Sequence, residues 1–127
     1  MAGRAQGEVL VLEEPLSLWG GLDVATGEII DKHHPQCGAV VTDKIVVMPF
    51  ARGSSSTANS LAESIHRATG PAAIVLAEAD EILVLGAIVA GELYGQWCPV
   101  IVADETTRAG LMTGGLAVVD SSGVRGA

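Results

Sequence analysis

Apolar positions follow two rhythms along this chain, and the change between them marks its elements. Glu8 to Leu12, reading Glu-Val-Leu-Val-Leu after Gly7, is β-branched and apolar and predicts a strand. From Pro15 to Gly27 the pattern loses any clear period, and Gly20-Gly21 and Thr26-Gly27 mark turns, so a long ordered loop is expected. Ile29-Ile30 suggests a short strand before Asp31-Lys32-His33-His34-Pro35, where the proline pushes His34 towards an extended backbone. Beyond Lys44 the pattern sharpens. Ile45 to Met48 reads as a buried strand and Arg52 to Ser56 as a Gly- and Ser-rich turn. A helix over Ser56 to Thr69 carries Ala58, Leu61, Ala62, Ile65 and Ala68 on one face, and Gly70-Pro71 stops it. Ala72 to Ala77 is a strand, and Asp80 caps a second helix from Glu81 to about Leu93, ended near Gly95. Pro99 to Ala103 and Leu116 to Asp120 are further strands. The order β-α-β-α-β over residues 44–103 predicts an α/β fold with a parallel sheet and right-handed crossovers. The N-terminal third adds strand and loop, so a plain doubly wound sheet is not expected.

Composition narrows the class. The chain has 127 residues, the size of one domain. Hydrophobic residues are 49% and charged residues 17%, which excludes a disordered chain. Aromatics are only 3%, so Val, Ile, Leu and Ala must build the core. Lys plus Arg is 7 against 15 Asp plus Glu, a net charge of −8 with no basic run. That argues against binding to a nucleic-acid backbone or to an anionic membrane. The longest apolar run, Ile82 to Ala90, falls short of the about 20 residues that span a bilayer. The first residues carry no apolar leader core. Cys37 and Cys98 make no disulfide framework and read as free thiols of a reducing compartment, so a cytoplasmic protein is expected.

The best candidate site is the turn Arg52-Gly53-Ser54-Ser55-Ser56-Thr57. It joins the carboxyl end of a buried strand to a helix start, where α/β sheets bind ligands and where free amides favour a carboxylate or phosphate. The plainer reading is helix capping, for which Ser and Thr are the ordinary residues; Ser60-Leu61-Ala62-Glu63 even spells an alternative capping box. A second candidate is Ser17, Trp19, Gly20, Gly21 and Asp23; either this loop serves a ligand or Asp23 simply closes a turn. Asp31, His33, His34 and Cys37 form a metal-like cluster whose spacing matches no zinc signature, so a surface turn with solvated histidines is expected, one of which could face a substrate carboxylate. Cys98 reads as a small core residue. The helix from Glu81 is apolar nearly all round and should be covered on most sides, by the sheet or by a partner. Neither a Gly-x-Ser-x-Gly elbow nor a Gly-x-Gly-x-x-Gly loop is present.

These motifs resemble one known family. Pro15 to Asp23, Thr26 to Asp31 and His34-Pro35, then Arg52 to Ser56 after Val47-Met48-Pro49-Phe50, then Pro71 to Glu78 followed by Ile82 to Gly91, are similar to the small subunit of the aconitase X family. The resemblance runs from about Gly3 to Gly123. It implies a single swivelling β/β/α domain over 1–127, like the small domain of aconitase, closing over a large subunit. That partner would hold an iron or iron–sulfur centre, with none bound by this chain, and the ligand would be a small anionic substrate. Family members are hydro-lyases, acting on phosphomevalonate in archaea and on cis-3-hydroxy-L-proline in bacteria. The resemblance gives Ser54 the role of removing the proton, with Ser55 as a stabilising donor. Aconitase has an Arg where Ser56 stands, so Arg52 would compensate. Gly53, Ser55, Ser56, Ser17, Trp19, Gly20, Gly21, Asp23 and His34 complete the expected substrate-binding set. The Ser-Ser-Ser-Thr run and the Ala-rich composition favour cis-3-hydroxy-L-proline. Phosphomevalonate is the alternative substrate, and a non-catalytic anion-binding module the alternative class. The resemblance also leads us to expect a strand before Gly3, an incomplete sheet edge without it, and a mobile tail after Asp120.

Overall fold

A computed structural model describes residues 4–51, 55–120 and 122–126 of the chain. Six strands form one sheet in the order β4-β3-β2-β1-β5-β6. β1 (Ala5–Val11), β2 (Ile45–Met48), β3 (Ala73–Leu76) and β4 (Val100–Val102) are parallel, with Val9 opposite Ile45, Ile45 opposite Ala73 and Ile74 opposite Val100. β5 (Leu116–Asp120) and β6 (Gly123–Gly126) add two antiparallel strands beyond β1. The helices are α2 (Ser55–His66), α3 (Glu81–Tyr94) and the short α4 (Glu105–Ala109). A four-residue turn, α1 (Leu18–Gly21), is interrupted by non-helical Trp19 and Gly20.

The strands β2 and β3 are apolar at every position because both their faces are covered. On one face Leu10, Val46, Met48, Ile74 and Leu76 meet Leu61 and Ile65 of α2 and Leu83 and Ala87 of α3. On the other, Val9, Ile45, Val47 and Val75 meet Leu111, Ala117 and Val119. The steps from β2 to β3 to β4 run in one direction across the sheet, so both crossover helices fall on the same face.

Local chemistry sets the helix ends. Asp80 Oδ1 accepts the Leu83 amide at 2.9 Å, and Gly95 closes α3 with φ +67° and its amide on the Gly91 carbonyl at 3.0 Å. α2 stops at His66, three residues before the expected end. Ala68 turns left-handed at φ +61°, and the Thr69 and Gly70 amides fold back onto the Ser64 carbonyl at 2.9 and 3.0 Å. Ser60 to Glu63 lies inside α2, so the alternative capping box is not a helix start.

Three further expectations are corrected. The expected incomplete edge is not at β1, which has a neighbour on each side; among the described residues β4 and β6 are the edges. The tail expected to be mobile after Asp120 forms β6. Asp120 holds that turn: its carboxylate accepts the Ser122 amide at 2.8 Å and pairs with Arg125 at 3.0 Å, which lowers its pKa. Ile29 makes only isolated bridges, with Leu22, while Glu28 bridges Val40. The covering expected for α3 is half met. Leu83, Ala87 and Ala90 are buried, whereas Leu85, Ile88 and Leu93 are exposed.

α2 and α3 approach almost to backbone contact. A Cβ on Gly86 would lie 2.7 Å from the Ala58 carbonyl oxygen, closer than atoms can stand. Gly86→Ala is therefore expected to destabilise the fold by about 1–3 kcal/mol through overpacking, against a helix-propensity gain of about 1 kcal/mol. Urea unfolding measures the balance, and an unchanged midpoint would contradict the close approach. Burial pushes the Cys98 thiol up to about 12, while Cys37 is exposed. A thiol reagent at pH 8 should titrate one cysteine in the native chain and both in denaturant. Because the folded pKa is raised, the associated stability is full below the ordinary thiol pKa and lost as pH climbs from 9 towards 12.

Candidate functional site

Two elements distant in sequence meet at the site. The first is the carboxyl end of β2 and the start of α2. The Pro49 carbonyl accepts the Ala77 amide at 3.0 Å, which ties the strand's exit to the exit of β3. The turn residues Arg52, Gly53 and Ser54 lie outside the described residues. α2 begins at Ser55, with Ser56 half-buried and Thr57 buried in its first turn.

The second is the loop between β1 and β2. Leu16, Leu18 and Leu22 sink into the core and leave Trp19 outward, 64% exposed. Ser17 Oγ donates to the Trp19 carbonyl at 2.9 Å, and Gly20 supplies a φ of +81° that an L side chain rarely adopts. Asp23 closes the following turn: Oδ1 accepts the Ala25 amide at 2.9 Å and its carbonyl accepts the Gly27 amide at 2.7 Å. Thr69 Oγ1 donates to the Val24 carbonyl at 2.6 Å and so fastens this loop to the segment that ends α2. Gly21 is buried and its carbonyl accepts the Ile30 amide at 2.9 Å.

Between these elements lies an open depression of about 340 Å³, lined by Trp19, Val24, Ser56, Asn59, Ser60 and Glu63. An aromatic face, a hydroxyl-bearing helix flank and a carboxylate thus share one surface. Glu63 is paired with Arg67 at 2.8 Å, and that hydrogen bond holds its carboxyl below the usual value. Of the residues expected from sequence, Trp19 and Ser56 line the depression. Ser17, Gly20, Gly21 and Asp23 shape the loop that presents Trp19. Asn59, Ser60 and Glu63 were not expected. They follow Ser56 at three, four and seven residues, a polar stripe on one helix flank, which was the available signal.

His34 belongs elsewhere. It is buried, its Nε2 lies 3.0 Å from the Glu14 carbonyl, and its Nδ1 accepts the Gln36 amide at 3.0 Å. This pattern assigns the neutral tautomer with the proton on Nε2. The solvated pair expected there is corrected: His33 is exposed, but His34 is the hydrogen-bonding centre of the 31–37 turn. Gln36 extends the knot, with its amide nitrogen on the Val11 carbonyl and its Oε1 accepting the Glu13 amide at 2.8 Å. Among the described residues no three His, Cys, Asp or Glu side chains come together as a metal site, and no helix is long and apolar enough to cross a membrane.

Comparison with known proteins supplies the context. A model described as aconitase X swivel domain matches residues 1–125. The chain is 46% identical over 100 residues to the cis-3-hydroxy-L-proline dehydratase of Pseudomonas aeruginosa, a match covering 79% of this chain and 17% of that protein. It is 43% identical over 83 residues to the phosphomevalonate dehydratase small subunit of Methanopyrus kandleri, covering 65% of this chain and 62% of that subunit. The chain therefore matches about a sixth of the one relative and under two thirds of the other. The crystal structure of Thermococcus kodakaraensis aconitase X in its holo-form superposes with a TM-score of 0.83 at 30% identity, covering 99% of this chain and 92% of that chain.

His34→Ala should remove the imidazole from the part-buried Glu14 carbonyl and Gln36 amide and empty a buried site, at a cost of about 1 kcal/mol or more in stability. Thermal unfolding of the variant tests this, since a ligand-facing surface histidine would leave the midpoint where it was.

Proposed function

The chain belongs to the aconitase X swivel domain family, and from that premise we propose that it is the small, serine-supplying part of a dehydratase acting on cis-3-hydroxy-L-proline. The single observation that carries the substrate is the character of the depression. It presents Trp19, hydroxyl and amide side chains and the Glu63 carboxylate, with no Lys, Arg or His among its described lining residues. A zwitterionic imino acid suits such a surface: its ammonium favours a carboxylate and an aromatic face. A phosphate ester carrying a further carboxylate would ask for more positive charge than Arg52 and the Glu63-paired Arg67 supply. The similarity to the P. aeruginosa cis-3-hydroxy-L-proline dehydratase points the same way.

In this proposal Ser54, directly before α2, takes the proton from the carbon that bears the carboxylate. The electron pair left behind forms the ring double bond as the 3-hydroxyl departs with a proton as water, giving a pyrroline-2-carboxylate. An unassisted serine is a poor base at neutral pH. In this reading the amides and positive end of α2 would favour its oxyanion, and Arg52, two residues earlier in the sequence, would add to that effect. Ser55 would donate to the substrate carboxylate. Closure of the domain over a large subunit would exclude water and complete the constellation. The described residues of this chain do not fit an iron or iron–sulfur centre. We assign that centre to the large subunit, and departure of the hydroxyl to groups outside this chain.

The proposal is tested by purifying the chain anaerobically with its large subunit and assaying cis-3-hydroxy-L-proline and 5-phosphomevalonate side by side. Turnover of the imino acid is the expected result; turnover of phosphomevalonate alone would overturn the substrate assignment. In the same complex Ser54→Ala should lower turnover by about 10²–10⁴-fold without dissociating it. Near-normal turnover would return Ser54 to helix capping.

A further inference from the structure

The carboxyl edge of the sheet carries a second feature that the proposed chemistry does not use. Between the outer flank of α3 and the edge strand β4 runs a groove of about 330 Å³. Leu76 and Val100 form its floor, Val84, Leu85 and Ile88 one wall, and Val102 the other. Leu85, Ile88 and Val102 are 53%, 40% and 54% exposed, so the lining is apolar and open to water. Asp80 and Glu81 form the rim at one end. Among the described residues that line it there is no Lys, Arg or His. Among the described residues β4 pairs only with β3, which leaves the peptide groups along its outer side without a strand partner there.

The groove's position says what should cover it. Its mouth is formed where β3 and β4 end, at Leu76 and Val102, and β2 ends beside them at Met48. The Ala77 amide on the Pro49 carbonyl at 3.0 Å makes the exits of β2 and β3 one continuous rim. Any body that closes over the start of α2 therefore arrives at the groove's edge. A second copy of the chain is a poor occupant, since each copy carries a net charge of −8 and an acidic rim with no cation lining this groove to receive it.

We infer that this groove is the docking site for the large subunit of the enzyme, taking an apolar ridge of that subunit flanked by Lys or Arg. The inference rests on the proposed function above, since it needs such a subunit. It adds where the two parts grip. Burying Leu85, Ile88 and Val102 would supply affinity, and the acidic rim would steer the approach and set its orientation.

The test measures affinity of the purified chain for the purified large subunit, with turnover of the mixed complex on cis-3-hydroxy-L-proline read in parallel. Leu85→Glu with Ile88→Glu, both at exposed positions, should raise Kd by 100-fold or more. Val102→Glu, on a different element, should do so by at least tenfold. Glu81→Lys should weaken binding several-fold and flatten its dependence on salt. Circular dichroism and thermal unfolding of each variant establish that the fold is intact. Wild-type binding and turnover with unchanged affinity in both groove variants would overturn the docking site and leave the dehydratase standing. Failure of the wild-type chain to bind the large subunit at all would instead overturn the proposed function. Concentration-dependent dimerisation of the chain, abolished by the double variant, would make a second copy the occupant and also overturn the inference.

Discussion

The close crossing of α2 and α3 is the constraint on which the rest of the molecule depends. Gly86 stands where any side chain would strike the Ala58 carbonyl. Without that approach the two helices could not lie side by side on a face only three parallel strand steps wide. With it, Leu61 and Ile65 of α2 and Leu83 and Ala87 of α3 share one core with Val46, Met48, Ile74 and Leu76. The position of α2 follows, and with it the placing of its first turn against the exit of β2. Packing deep in the core thus decides where a polar helix flank meets the Trp19 loop.

That loop shows the same dependence from the other direction. It has almost no regular structure, yet its leucines are buried as deeply as those of the strands. Backbone bonds from Asp23, Gly27 and Val41 and the side chains of Thr42 and Thr69 replace the missing ladder. Rigidity is therefore bought with turns, and the turns leave one large aromatic side chain outside. Trp19 is placed by the Ser17 hydroxyl on its carbonyl and by the buried leucines on either side, which leaves its ring open to a ligand.

The parallel core was legible because periodicity and burial agree there. Ile45 to Met48 and Leu116 to Asp120 are apolar runs bounded by turn residues, and they form strands over the same residues. Asp80 and Gly95 named both ends of α3. What escaped the sequence was set by partners far along the chain. β6 is a strand because β5 lies beside it, and nothing in Gly-Val-Arg-Gly announces one. α4 is a five-residue helix capped by Asp104, too short for a period to show. His34 looked like a surface residue because Pro35 and Lys32 surround it; its burial comes from Glu14 and from Gln36, which also reaches back to β1. The serine turn stood out in the sequence, but Arg52, Gly53 and Ser54 lie outside the described residues and only Ser56 is seen to line the depression. The helix flank that faces Trp19 did not stand out, since its polar residues read equally as a solvated face.

The central position of β1 has a consequence for how the sheet is assembled. It is the first strand of the chain, yet one of its partners, β5, is nearly the last. During synthesis β1 can pair with β2 early, but its other edge stays bare until Leu116–Asp120 has emerged. The loop-closure cost of that late pairing falls on a single antiparallel contact between segments far apart in sequence. The domain is in this sense latched rather than zipped. Its parallel half forms step by step from nearby segments, and the hairpin of β5 and β6 then fastens the opening strand in place.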